Sequence, residues 1–114
     1  MTRPYKILAT PYFKLSIQRL SHFLGKKYSP QHATDNKRVL QKKIKATLPE
    51  NPHIAPISSR LIELGISEYR QWAIDDHNMI FYRISDEEGS VYLLLAMDSR
   101  QDIQKLLYEL MLLK

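Results

Sequence analysis

Cysteine is absent from this chain of 114 residues, so neither a disulfide scaffold nor a thiolate metal site can be built from it. Glycine is scarce: Gly25, Gly65 and Gly89 stand far apart, which excludes a glycine-rich phosphate loop. No apolar run approaches the ~20 residues needed to span a bilayer. The opening Met1-Thr2-Arg3-Pro4 also lacks the apolar stretch of a secretory signal. These absences predict a cytoplasmic protein that makes no membrane contact. His22, His32, His53 and His77 share no metal-ligand spacing, so no metal and no cofactor is expected. Ser58-Ser59 has no nucleophile-elbow context around it.

Acidic residues are missing from one half. Residues 1–50 hold eleven Lys/Arg and two Asp/Glu, whereas residues 51–114 hold six and ten. The basic excess is concentrated in Lys26, Lys27, Lys37, Arg38, Lys42, Lys43 and Lys45. Single lysines of this kind usually form a solvated helix face, but the block together favours an acidic or polyanionic partner. Hydrophobic content of 44% and charged content of 25% are ordinary for a globular domain. Residues 1–114 are therefore read as one domain with one core.

Periodicity places the elements. Tyr5 to Ala9 reads as a short strand, and Thr10-Pro11 as a helix start with a capping hydroxyl and proline at the first helical position. Phe13, Ile17, Leu20 and Leu24 form one helical stripe, which Gly25 is expected to end. Ser29-Pro30 repeats the start signal, and Ala33, Leu40, Ile44 and Leu48 give the second helix its stripe. Pro49 to Ser58 is the one substantial loop. Leu61 to Leu64 and Tyr69 to Ile74 follow, then a hairpin of Met79 to Ser85 and Val91 to Met97 joined by Asp86-Glu87-Glu88-Gly89. Apolar residues on nearly both faces make Met79 to Ser85 a central strand. Ser99 to Asp102 resembles a capping box opening a last helix with the stripe Ile103, Leu106, Leu107 and Leu110. The closing Leu110-Met111-Leu112-Leu113 is apolar on too many sides for a free surface helix, so Leu112 and Leu113 are read as a partner contact.

This order, strand, helix, helix, then antiparallel strands ending in Arg-x-Asp (Arg100-Gln101-Asp102) and a short helix, resembles the RelE/ParE toxin superfamily over essentially the whole chain. His77-Asn78-Met79-Ile80-Phe81-Tyr82-Arg83 and Leu94 to Asp102 are similar to the ParE branch, although many ParE-like chains have His where Asp98 stands. The resemblance implies an α+β fold, β-α-α-β-β-β, with two N-terminal helices packed on a mainly antiparallel sheet and a short C-terminal helix. It implies the toxin of a type II toxin–antitoxin system, of the kind associated with growth inhibition and plasmid stabilization. A cognate acidic antitoxin would neutralise it, through Leu20, Leu24, Leu40, Ile44, Leu112 and Leu113 beside the basic helices.

ParE-like members poison DNA gyrase; RelE-like members cut mRNA on the ribosome without a metal. Metal-free cleavage needs a base, an acid and cations placed on the developing phosphorane charge. Set on the RelE pattern, Arg70 and Arg100 match two cationic positions, Trp72 and Met79 replace two others, and Tyr108 is out of register with the last-helix tyrosine. Arg70, Arg83 and Arg100 are the only candidates for catalysis. With two of about four groups matched, the expectation is a gyrase-binding toxin using Arg70, Trp72, Arg83 and Arg100 as target contacts. Nucleic acid would then be met only through the target or the antitoxin. The alternatives are a RelE-like endoribonuclease and a non-toxic member that retains only antitoxin binding. Tyr69 and Trp72, flanking Arg70, read either as base-stacking rings or as core aromatics of a half-buried strand.

Overall fold

The computed structural model describes residues 3–113, with side chains through Met111. Its elements are β1 (Lys6–Ala9), α1 (Pro11–Lys27), α2 (Pro30–Thr47), a 3-10 turn at Pro52–Ile54, α3 (Ser59–Glu63), β2 (Arg70–Ala73), β3 (Asn78–Ser85), β4 (Ser90–Asp98) and α4 (Ile103–Leu113). The four-stranded sheet has the order β1-β4-β3-β2. β1 runs parallel to β4, and the other two pairings are antiparallel. The fold is α+β as expected, with β3 inside the sheet.

Both N-terminal caps form as the sequence reads. The Thr10 and Ser29 hydroxyls accept from the backbone N–H groups of Phe13 and His32. Gly25 does not end α1, which continues to Lys27. What stops it is Ser29-Pro30. The ring of Pro30 bars helical geometry from the preceding residue, and Ser29 is fully extended at φ −167° and ψ 159°.

Two apolar cores lie on the two faces of the sheet. One packs Phe13, Leu20 and Leu24 of α1 and Leu40, Ile44 and Leu48 of α2 against Ile80, Tyr82, Val91, Leu93 and Ala96. The other packs Leu61, Leu106 and Leu110 against Met79, Phe81, Leu95 and Met97. The switch of β4 side chains between faces comes from a bulge. Phe81 faces Leu95 but Tyr82 faces Leu93, leaving Leu94 as the extra residue.

α1 also completes the sheet edge. β1 covers β4 only as far as Leu93. Beyond that, the wholly buried Ser16 hydroxyl accepts from the Ala96 N–H at 2.9 Å and donates to the Phe13 carbonyl at 2.7 Å. A serine on an otherwise apolar helix face is thus the group that closes the strand edge.

Of the leucine and isoleucine side chains expected to meet a partner, the helical-hairpin group is buried within the chain itself. Leu20, Leu24, Leu40 and Ile44 are at most 6% exposed, so their apolar surface is already buried between the helices and the sheet. A stripe at helical spacing identifies the face that leaves water, and here it is the protein's own core that removes it. The side chains of Leu112 and Leu113 lie outside the described residues. Leu106 and Leu110 of the same helix are buried against the sheet, while Met111 is 69% exposed.

Candidate functional site around Arg100

Asp98, the last residue of β4, is 2% exposed and faces the helical hairpin because the bulge has shifted the alternation. Its carboxylate accepts three hydrogen bonds from Arg100: from the backbone N–H at 2.9 Å, from Nε at 2.8 Å and from Nη2 at 2.7 Å. The planar guanidinium fork matches the carboxylate edge, which fixes orientation as well as charge. Arg100 Nη1 donates to the Tyr28 hydroxyl, and the guanidinium carbon stands 5.5 Å from the Tyr28 ring and 5.9 Å from the Phe23 ring. Three of the five guanidinium N–H groups are engaged. The side chain keeps 31% of its exposure, so the rest face open space.

The electrostatics follow from the geometry. Burial pushes the Asp98 carboxyl up, but the hydrogen bonds and charge of Arg100 outweigh it and hold the group below the ordinary carboxylate value. The Arg100 guanidinium is raised, first by the Asp98 hydrogen bond and then by that to Tyr28. This cation is permanent.

The expected Ser99 cap does not form. The Ser99 N–H reaches the His77 carbonyl at 2.7 Å, and the Gln101 N–H closes a turn on the Asp98 carbonyl at 2.9 Å, so helical geometry begins only at Ile103. Asp102 caps α4 instead, its Oδ1 accepting from the N–H groups of Gln104 and Lys105 at 2.9 and 3.2 Å. Arg100 therefore sits in the connecting turn before the helix, not inside its first turn.

Arg100 forms one wall of a cleft of about 580 Å³ between the second half of α1 and the start of α4. Arg19, His22, Lys26 and Lys27 line one side and Lys105 and Glu109 the other. Arg19 meets Glu109 at 3.5 Å across it. Close by, Asn36 of α2 and Asn78 exchange side-chain hydrogen bonds at 3.1 and 2.9 Å, which ties the hairpin to this end of the sheet. Asp75 holds the preceding turn, accepting from the His77 and Asn78 backbone and the Asn78 side chain.

The other predicted site residues do not join Arg100. Arg70 pairs across β2 and β3 with Tyr82, and its Nη1 donates to the Ala55 carbonyl at 2.6 Å, pinning the proline-rich loop. Trp72 is half-buried and packs against the core under the helical hairpin. Arg83 projects from the opposite sheet face, with its guanidinium carbon 4.1 Å from the Tyr92 ring centroid. The antiparallel register puts Arg70 and Arg83 on opposite faces. Tyr108 is 65% exposed on the outer side of α4. Among the described residues no group of three or more His, Asp or Glu has the geometry of a metal site. Sequence reasoning missed Tyr28 and Phe23 as supports for Arg100. The junction position of Arg100 was visible, but its aromatic partners come from α1 and its C-cap, more than seventy residues away in the chain.

No protein-family model matches this chain, and no curated protein matches it in sequence. Among solved structures it is similar to a chain of the toxin–antitoxin complex RelBE2 from Mycobacterium tuberculosis. The two are 16% identical with a TM-score of 0.56, over 83% of this chain and 98% of that one. The likeness is one of fold. Within this fold, Arg100 occupies the junction between the last strand and the last helix. No helix among the described residues is long and apolar enough to cross a membrane.

Proposed function

We propose that this chain is the toxin of a type II toxin–antitoxin pair and acts by binding a target protein, DNA gyrase, rather than by its own chemistry. The fold shared with a toxin–antitoxin complex supports the toxin half of this reading. The observation that carries the mechanism is the separation of the arginines. Arg70 is bonded to Ala55, Arg83 stacks on Tyr92 on the other face, and Arg100 is fastened to Asp98. Phosphorane stabilisation needs cations converging on one phosphate, and these do not converge. Trp72 and Met79 supply no charge in their place.

A cognate acidic antitoxin is the natural complement to the basic hairpin. With Leu20, Leu24, Leu40 and Ile44 buried, its apolar anchors must come from exposed side chains such as Val39, which is 43% exposed beside Lys42 and Lys43. Charge would set the association rate and its salt dependence, and the anchors the affinity. Gyrase supercoiling and ribosome-dependent translation, assayed side by side with purified protein, test the reading. Supercoiling is expected to stop while translation and mRNA stay intact. Ribosome-dependent mRNA cleavage would replace the proposal with the endoribonuclease reading.

A further inference from the structure

A second cleft, of about 590 Å³, lies between the end of α1 and the start of α2, and no carboxylate lines it. Lys26 and Lys37 stand at it from the two helices, and neither makes an ion pair among the described residues. The Thr34 hydroxyl donates to the Pro30 carbonyl at 3.1 Å, whereas the Ser21 hydroxyl has no partner among the described residues. Between these polar groups the walls are bare. Ala33, 7% exposed, presents a methyl group from α2, and Gly25 presents no side chain from α1. Gly25 is helical, in the last turn of α1, and a Cβ built there would meet nothing within 4 Å. Neither crowding nor a left-handed backbone therefore calls for glycine, which after proline is the poorest helix former. A residue that breaks the local rule and leaves a cleft open marks a place where function, not folding, sets the choice.

We propose that this cleft binds a small phosphate monoester, with the phosphate between Lys26, Lys37 and Ser21 and the organic group over Gly25 and Ala33. Two ammonium groups and a free hydroxyl make a set of donors with no competing acid beside them. A phosphate monoester complements that set, because it carries close to two negative charges on three strong acceptor oxygens. A phosphodiester linkage has a single charge and satisfies only part of it, and so does a peptide carboxylate. The volume is that of a small-molecule site, and the bare stretch at Gly25 and Ala33 leaves room for the part of the ligand that carries no charge. The inference concerns a site apart from Arg100 and does not depend on the gyrase reading.

Titrating the isotope-labelled intact chain with phenyl phosphate, inorganic phosphate, phenol and an oligo-thymidine lacking terminal phosphates, followed by amide NMR, tests it. Phenyl phosphate is expected to bind tightest and to shift the Gly25 and Ala33 amides saturably. Inorganic phosphate should shift the same amides at higher concentration, and phenol should leave them in place. Gly25→Leu fills the cleft and should weaken phenyl phosphate at least about tenfold, while the melting temperature stays at or above that of wild type. Gly25→Gln makes the same test without adding an exposed apolar side chain. Lys37→Ala should weaken binding about 1.5- to 5-fold, the range of an exposed ion pair. Lys45→Ala, on α2 but outside the cleft, should leave affinity unchanged. Four results would each overturn the proposal: phenol bound as tightly as phenyl phosphate, oligo-thymidine bound more tightly at these amides, full affinity in both Gly25 variants, or equal losses at Lys37 and Lys45.

Discussion

The two ends of the β3–β4 hairpin have opposite electrostatic characters and are held together differently. At the turn end, Asp86, Glu87 and Glu88 stand together, and tyrosines bond the carboxylates: Tyr5 to Asp86 at 2.6 Å and Tyr92 to Glu88 at 2.6 Å. The carboxylates are exposed. At the open end, Asp98 is buried under Arg100, and lysines of α1 and α4 surround the pair. A carboxylate in solvent gains little from one more partner, because water already satisfies it. A buried carboxylate depends on its partner, since losing it leaves a desolvated charge. The acidic end should therefore tolerate change, and the basic end should not.

The strongest test of that contrast is Asp98→Ala. It removes the acceptor of three hydrogen bonds and leaves a cavity beside the loosened Arg100, at an expected cost of about 2–4 kcal/mol by denaturant melt. The pH dependence carries the same signature. The Asp98 pKa is lowered in the folded state, so its contribution is complete above the ordinary value of 3.8 and is lost as pH falls through the lower folded value. Wild type should thus lose stability more steeply than Asp98→Asn in that acid range. Equal slopes would mean that the pair adds nothing to stability.

Ser16→Ala probes the same strand two residues before Asp98. It leaves the buried Ala96 N–H without an acceptor, at an expected cost of about 1–3 kcal/mol. Amide exchange should localise the loosening to the β4 edge beyond Leu93. Loss spread evenly over the sheet would instead mean that α1 packs the strand without sealing it.

The smallest effect belongs to the acidic turn. Asp86→Asn should change stability at neutral pH by no more than ~0.5 kcal/mol. In alkali the turn becomes the sensitive end. Tyr5 and Tyr92 are raised above their ordinary 10.0, first by their carboxylate hydrogen bonds, with burial and carboxylate charge adding. Their contribution is complete below pH 10.0 and is lost as pH climbs through the raised values. Ultraviolet titration of phenolate should show Asp86→Asn shifting Tyr5 back towards 10.0. An unshifted Tyr5 would mean that the bond to Asp86 is not formed in solution.

Much of the fold was legible in the chain itself. Thr10-Pro11 and Ser29-Pro30 marked two helix starts to the residue, because a hydroxyl acceptor and a fixed proline φ act locally. The stripes of α1, α2 and α4 marked their buried faces for the same reason. The errors arose where local signals competed. Gly25 stayed helical because nothing local forced it to stop, and the α4 cap moved to Asp102 because the β4 ladder ran on through Asp98.

The candidate site was legible only in part. Arg100 and the surplus of Lys26 and Lys27 could be read from the chain, as types of residue in a given order. Which arginines would meet could not, because that depends on strand register. The Leu94 bulge reverses the alternation of β4, turning Asp98 towards the helical hairpin and bringing Arg100 to Tyr28. Arg70 and Arg83 went to opposite faces by the same arithmetic of pairing. The sequence by itself determined the helices, their caps, the hairpin and the basic half, since each rests on neighbours a few residues apart. Only the tertiary structure decided which charges face one another, because one extra residue in a strand flips every side chain that follows it.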